Sequence, residues 1–294
     1  MTRRIVALLI IGLLTVATAA PAAAITFGQL DQSNVYANVG ALIGEFDVPV
    51  AFDENGEPIT ETLQFIFCTG TLIADADGGD SNLFLTAAHC IPPDDPTDGP
   101  GVRMAVTFDP TIDLDDTKFG SVVPGTSTMY EGTAYRHELF ACCGRNDTFD
   151  IGMVVLDQEV PGISPATVVG PNQLGTMTQA QLRQAQFVTA GYGTVRDDKT
   201  GGFHALSFDG DRRWATQTAM NLLKPWLNLS MQPSTGDGGT CYGDSGGPHF
   251  LVEGGGLTLA SITVTGDIPC RATDKTYRLD TPVSQEFIGR FLGF

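Results

Sequence analysis

The chain has 294 residues, 42% hydrophobic and 17% charged, which excludes a largely disordered polyelectrolyte and allows one large domain or two small ones. Its 35 glycines and 17 prolines argue against long uninterrupted helices and fit many short strands joined by turns. A net charge of −18 repels nucleic acid and anionic membrane surfaces, so neither is expected as a partner.

Arg3 and Arg4 precede an apolar run over 5–16, followed by Pro21 and the small residues Ala22-Ala23-Ala24. That order is the pattern of a secretory signal peptide, and about a dozen apolar residues fall short of the roughly 20 needed to span a bilayer. Residues 1–24 are therefore expected to be removed on export, leaving a secreted chain with no membrane contact.

Strands are predicted at 39–43, 63–73 and 83–86, the last two separated by the Asp- and Gly-rich stretch 75–82. Residues 91–101 carry four prolines and read as a surface loop. Further strands are predicted at 102–108 and 151–156, then a connector over 161–175 and a short helix over 178–184. The second half gives strands at 187–192, 213–220, 248–252, 257–265 and 276–279. Phe287, Ile288, Phe291 and Leu292 then recur at helical spacing within a terminal helix over 283–294. Two β-rich units, 25–160 and 161–294, are expected. Asp113, Asp115 and Asp116 read as a solvated acidic stretch, with calcium binding the alternative.

Export permits disulfides. Cys68, Cys90, Cys142, Cys143, Cys241 and Cys270 contain no C-x-x-C pair and only His89 adjoins a cysteine, so no structural zinc or other metal is expected. Six cysteines leave about fifteen pairings open.

Three segments carry chemistry. His89 ends an apolar strand in Leu85-Thr86-Ala87-Ala88-His89-Cys90, Asp150 stands at the mouth of another, and Ser245 lies in the glycine-rich run Gly243-Asp244-Ser245-Gly246-Gly247. A serine hydroxyl needs a base within hydrogen-bond reach, imidazole has the near-neutral pKa for it, and a carboxylate fixes the imidazole tautomer. Glycines around the serine let backbone N–H groups converge on a developing oxyanion. Chain order discriminates among scaffolds. A nucleophile elbow of the α/β-hydrolase kind needs an acid and then a histidine after the serine, but only His249 follows Ser245, with no acid between them. A subtilisin order needs Asp before His and a helix carrying the serine, whereas Gly246-Gly247-Pro248 leads into a strand. His, Asp, Ser remains.

The segments around His89, Asp150 and Ser245 resemble those of trypsin/chymotrypsin-type serine proteases, most closely the secreted bacterial trypsin-like members. Phe67-Cys68-Thr69-Gly70-Thr71-Leu72-Ile73, Ala190-Gly191-Tyr192-Gly193-Thr194 and Tyr277-Arg278-Leu279-Asp280-Thr281-Pro282 extend the resemblance over nearly the whole mature chain. It implies an all-β fold of two six-stranded antiparallel barrels with a short C-terminal helix. It also implies a monomeric serine endopeptidase acting on protein or peptide substrates without a cofactor. A catalytically silent binding or adhesion homologue and a hydrolase of small esters are the alternatives.

Carried over by position, His89 is the general base, Asp150 its orienter and Ser245 the nucleophile, with Gly243 and Ser245 N–H as the oxyanion hole. The family pattern pairs Cys68 with Cys90 and Cys241 with Cys270. Cys142 and Cys143 have no family partner; a vicinal bridge between them is expected, with free thiols or an intermolecular bond as alternatives. Gly239, Thr240 and Gly266 fall in the specificity pocket. Gly239 stands where trypsin-like members carry Asp, so a preference for small-to-medium apolar or aromatic side chains over Arg and Lys is expected, with acidic ones next if Lys275 points inward; Asp237 reaching the pocket is the alternative, with selective cleavage after Arg as its mark. A new Ile25 amino group would pair with Asp244, although Phe27 replaces a glycine of the family's N-terminal pattern.

Overall fold

A computed structural model describes residues 25–76, 78–93, 101–118, 120–141, 148–196 and 200–292. The expected signal peptide, Cys142 and Cys143 lie outside the described residues. Six strands, β1 (Val39–Phe52), β2 (Pro58–Ile73), β3 (Ser81–Thr86), β4 (Val102–Thr107), β5 (Tyr130–Arg136) and β6 (Gly152–Val160), close into a barrel in the order β1-β2-β3-β6-β5-β4. Six more, β7 (Gln186–Gly191), β8 (Arg213–Leu222), β9 (Trp226–Ser230), β10 (Pro248–Glu253), β11 (Gly256–Gly266) and β12 (Thr273–Arg278), form a second ring, β8-β7-β10-β11-β12-β9, closed by pairing of β9 with β8. Neighbours in both rings run antiparallel. The all-β, two-barrel expectation is met.

The strands follow from alternation: along β8, Ala215, Gln217 and Ala219 point inward while Thr216, Thr218 and Met220 point out. Leu42, Leu72, Phe84, Val106 and Val154 from the first barrel join Phe187, Leu227, Phe250, Leu259 and Tyr277 from the second in one continuous core cluster. Helix α1 (Gln179–Gln184) starts where predicted, with Thr178 and Gln181 forming a reciprocal capping box. Helix α2 (Pro282–Gly289), capped by Thr281, ends at Gly289, short of the predicted 294.

Two strands escape the apolar pattern. β5 turns only Gly132 and Ala134 inward, and β9 is five residues long and interrupted by Asn228. β1 and β2 also run on past the predicted ranges as a hairpin over 44–62, mostly exposed and therefore without an alternating buried face.

A buried cation fixes the barrels against each other. Arg212, just before β8, donates to Asp31 Oδ2 (3.0 Å), to the Val39 and Phe108 carbonyls (3.0 Å each) and to Tyr192 Oη (2.9 Å), and also bonds Asn34. A charge in so little water is tolerated only when paired and fully hydrogen-bonded. Val39 and Phe108 belong to the first barrel and Arg212 and Tyr192 to the second, so this network sets the cleft between them.

Candidate active site

Register brings His89 to Asp150. Thr86, the last residue of β3, pairs with Gly152, the first of β6, so the chain leaving Thr86 runs beside the chain entering Gly152. After Thr86 the backbone makes one 3₁₀ turn, Ala88–Cys90, with Ala88 and Cys90 buried and the His89 side chain 28% exposed. Buried Asp150 takes the His89 backbone N–H on Oδ1 (2.9 Å) and ring Nδ1 on Oδ2 (2.8 Å). Facing a carboxylate, Nδ1 is assigned the proton, which leaves Nε2 as the basic nitrogen.

The Ser245 turn is pressed onto the same corner. The Ser245 carbonyl accepts from Thr69 N (2.9 Å), and Gly246 N and Thr263 N bond the Thr263 and Gly247 carbonyls at 2.8 and 2.9 Å. Gly246, at φ 77°, has no room for a Cβ: it would collide with Thr86 Oγ1 and lie 2.6 Å from Ala87 N and from the Thr69 carbonyl. The expected disulfide Cys68–Cys90 (Cα–Cα 6.1 Å) ties the His89 turn to β2. Cys90 Sγ lies 3.6 Å from the Ser245 carbonyl, a packing contact, since a disulfide sulfur has no proton to donate. The cluster Cys68, His89, Cys90 is accordingly no metal site, because both sulfurs are used in that bond. Ser245 is half-buried, and its hydroxyl is not hydrogen-bonded to the imidazole in this structure; such contacts often form only with substrate in place.

Peptide-plane orientation sets where the Gly243 and Ser245 N–H groups point. The Tyr242 carbonyl accepts from Thr194 N (2.7 Å), and a trans peptide directs its N–H opposite to its C=O, so Gly243 N–H faces away from Thr194. The Asp244 carbonyl accepts from Gly247 N (2.8 Å), which turns Ser245 N–H outward in the same way. Among the described residues neither N–H has a protein acceptor. Gly243 holds φ 97°, a conformation glycine adopts without strain.

Asp244 anchors this turn from beneath. Fully buried, it accepts from Gly193 N (2.8 Å) and Cys241 N (2.9 Å), and a side chain at Gly191 or Gly193 would run into its carboxylate. Burial pushes its pKa up to about 7, against the pull of those two bonds, with Asp274 adding to the rise. Ile25 is buried, and Thr26 pairs with Gly239, whose N–H donates to the Thr26 carbonyl (2.9 Å), so the 25–28 segment threads in beside the Ser245 loop. Phe27 adopts φ 61°, the left-handed conformation that a glycine would take freely.

A protein-family model described as Trypsin matches residues 48–288. The chain belongs to the trypsin family. Membership accounts for the two-barrel architecture and supports a serine-protease-like hydrolase. No curated protein matches the chain.

In this trypsin-family chain the residues expected to form the specificity pocket surround a group that the sequence did not reveal. Gly239, Thr240 and Gly266 do come together, but around a buried carboxylate that the sequence reading missed. Asp274 on β12 pairs with Gly266 on β11. Its Oδ2 accepts Thr240 N (2.9 Å) and Gln217 Nε2 (2.5 Å), and its Oδ1 accepts Thr240 Oγ1 (2.8 Å). A Cβ at Gly239 would sit 2.6 Å from Oδ2, and one at Gly266 3.6 Å from Oδ1. Gly239 carries no acid, but a carboxylate from a facing strand lies against it, and burial holds its pKa up at about 6 while Thr240 and Gln217 pull it back. Gln217 Oε1 in turn takes His249 Nδ1 (2.7 Å), whose pKa burial lowers to about 3, so that imidazole is neutral and structural.

The other two pocket candidates point elsewhere. Asp237 accepts from Thr218 and Thr235 hydroxyls (2.9 and 2.8 Å). Lys275 lies on the opposite face of β12 from Asp274, with its ammonium 4.2 Å from the centre of the Trp226 ring. The second expected disulfide, Cys241–Cys270 (Cα–Cα 5.4 Å), fastens the loop before Ser245 to the segment leading into β12. The alternation of β12 and its register with β11 carry the signal for Asp274, and neither can be fixed from the short Cys270–Tyr277 stretch alone.

Proposed function

We propose that the chain is a secreted, monomeric serine endopeptidase that cleaves protein or peptide substrates through His89, Asp150 and Ser245. The observation that carries this reading is Asp150 gripping both the backbone and the ring of His89, which leaves Nε2 as the base at the cleft beside the Ser245 turn. Ser245 Oγ attacks the scissile carbonyl as His89 Nε2 takes its proton, and the negative oxygen accepts from Gly243 N–H and Ser245 N–H. Collapse expels the amine, which receives the proton from His89, and leaves an ester on Ser245. Water, deprotonated by the same nitrogen, then releases the acid and restores the hydroxyl.

Removal of residues 1–24 would free the Ile25 amine, the natural counter-charge for a carboxylate as buried as Asp244. In the pocket, Asp274 has three of about four acceptor positions filled, and the open one is on Oδ1, the oxygen nearest Gly266. A Lys or Arg side chain entering between the two glycines would meet that oxygen, so we read the preference as basic, the reverse of the sequence expectation.

Peptide hydrolysis by the secreted chain tests the reading. Ser245→Ala is expected to lower kcat by roughly a thousandfold or more with an unchanged circular dichroism spectrum. Wild-type turnover in that variant would remove Ser245 from the mechanism.

A further inference from the structure

Four strands of the second barrel contribute to one continuous polar chain through its interior. Thr263 on β11, His249 on β10, Gln217 on β8 and Asp274 on β12 are all buried, and each touches the next. Thr263 Oγ1 lies 2.9 Å from His249 Nε2, His249 Nδ1 2.7 Å from Gln217 Oε1, and Gln217 Nε2 2.5 Å from Asp274 Oδ2. Such a chain adds little to stability, because apolar side chains of the same volume would pack there without desolvating an imidazole and an amide.

The donors all point one way. An ionised carboxylate only accepts, so the Gln217 amide nitrogen is the atom assigned to Asp274 and Oε1 is left to accept from His249. His249 therefore carries its proton on Nδ1. Neutral because burial lowers its pKa to about 3, it presents a bare Nε2 to the Thr263 hydroxyl. Reversing the amide or the tautomer would set two acceptors face to face. The three dipoles thus align head to tail and end on Asp274, each bond polarising the next.

Both ends are anchored. The Thr263 backbone holds the Ser245 turn through Gly246 N (2.8 Å) and the Gly247 carbonyl (2.9 Å). At the other end a Cβ on Gly239 would come within 2.8 Å of Gln217 Nε2, so that amide borders the same glycine as Asp274. The charged groups bearing on Asp274 are Asp267, just past β11, and Asp244 in the Ser245 turn, and both oppose its ionisation. Asp237 is turned to Thr218 and Thr235, and Lys275 lies on the opposite face of β12 over Trp226.

We propose that Gln217 and His249 are positioning residues for substrate selection: the chain from Thr263 keeps the Asp274 carboxylate charged and aimed between Gly239 and Gly266. A preference for Lys and Arg then depends on an imidazole that never meets the substrate. The inference rests on the endopeptidase reading with Asp274 in the pocket.

The test uses the secreted, processed chain and paired Lys and Leu peptides, with the Lys/Leu ratio of kcat/KM followed from pH 5 to 8. Misfolding lowers both rates and leaves the ratio alone. In the wild type the ratio falls as Asp274 takes up its proton near pH 6. His249→Phe keeps a ring but loses the Nδ1 proton, which withdraws support from the charged carboxylate and raises its pKa. The midpoint is expected to rise by about one pH unit, the scale of one weakened charge-assisted hydrogen bond. The ratio at pH 6 then falls about fivefold and recovers by pH 8. His249→Gln, whose amide donates to Gln217, restores most of the midpoint, and the nearly isosteric Thr263→Val moves it the same way by about half as much. The Asp274 carboxyl is also titrated directly, by nuclear magnetic resonance of isotope-labelled aspartate in Ser245→Ala chains, with Asp274→Asn assigning the signal; it should shift in parallel. A titration and a selectivity midpoint unmoved in both His249→Phe and Thr263→Val would overturn the positioning role and leave the endopeptidase reading standing. The expected carboxyl shifts in a processed chain that cleaves neither peptide would instead overturn the endopeptidase reading.

Discussion

In the proposed endopeptidase, Asp274 sets the side-chain preference through one charge. With the Thr240 and Gln217 donors facing it and burial holding its pKa near 6, its ionisation falls within an accessible pH range. The wild-type preference for Lys or Arg over Leu is expected to weaken as pH drops below about 6, where Asp274 takes up its proton. In Asp274→Asn the preference should fall at least tenfold and lose that pH dependence, since desolvating a cation against a neutral amide is costly. Paired peptide substrates read at pH 5 and 8 measure both effects, and an unchanged Lys/Leu ratio in the variant would take Asp274 out of the specificity pocket. Gly239 shows why Asp274 is hidden in the sequence: the position itself is empty of charge, and the acid that lies against it is 35 residues on in the chain.

Strands and loops bring these side chains within reach. The pairing of Thr86 with Gly152 aligns the His89 turn with Asp150, and the Cys68–Cys90 bond holds that turn to β2, whose Thr69 N–H holds Ser245. Replacing both cysteines by alanine is expected to cost about 2–5 kcal/mol of stability in urea denaturation. Peptidase kcat should fall more steeply than KM rises, because His89 loses position rather than substrate contact. Loss of stability with full kcat would show that strand pairing alone holds His89. At this scale the sequence is legible where one face is apolar and opaque where it is not. β3 and β6 announce themselves in Leu83-Phe84-Leu85 and Met153-Val154-Val155. β5 does not, because only Gly132 and Ala134 face inward, and the 44–62 hairpin does not, because it has no buried face. The three site segments were readable because each joins a reactive residue to small neighbours demanded by close packing, as Gly246 is against Thr86 and Ala87.

Across the whole molecule, the two barrels meet with His89 and Asp150 on one side and Ser245 on the other, and the 25–28 segment is laid along the second barrel against Gly239 and Arg196. Burial raises the Asp244 pKa to about 7, far above the roughly 3.9 of an unfolded aspartate. The folded state therefore binds the extra proton between about pH 4 and 7; that stabilisation is complete below about pH 4 and is lost as the pH rises through 7. An ammonium at Ile25 would reverse the loss by pairing with the ionised form. Melting temperatures of the processed chain and of one extended by a single residue before Ile25 should diverge as pH rises from 4 to 8, with the extended chain falling further and working at least tenfold more slowly. Parallel pH profiles and equal activity would contradict a role for the new terminus.

The central claim is that Ser245 is a nucleophile activated by His89 across the cleft. Labelling the secreted protein with a fluorophosphonate and locating the adduct by peptide mass measurement tests it most directly. One adduct on Ser245 is expected, absent in Ser245→Ala and slowed by orders of magnitude in His89→Ala. A folded, processed chain that resists the reagent, or carries the adduct on another residue, would contradict the account.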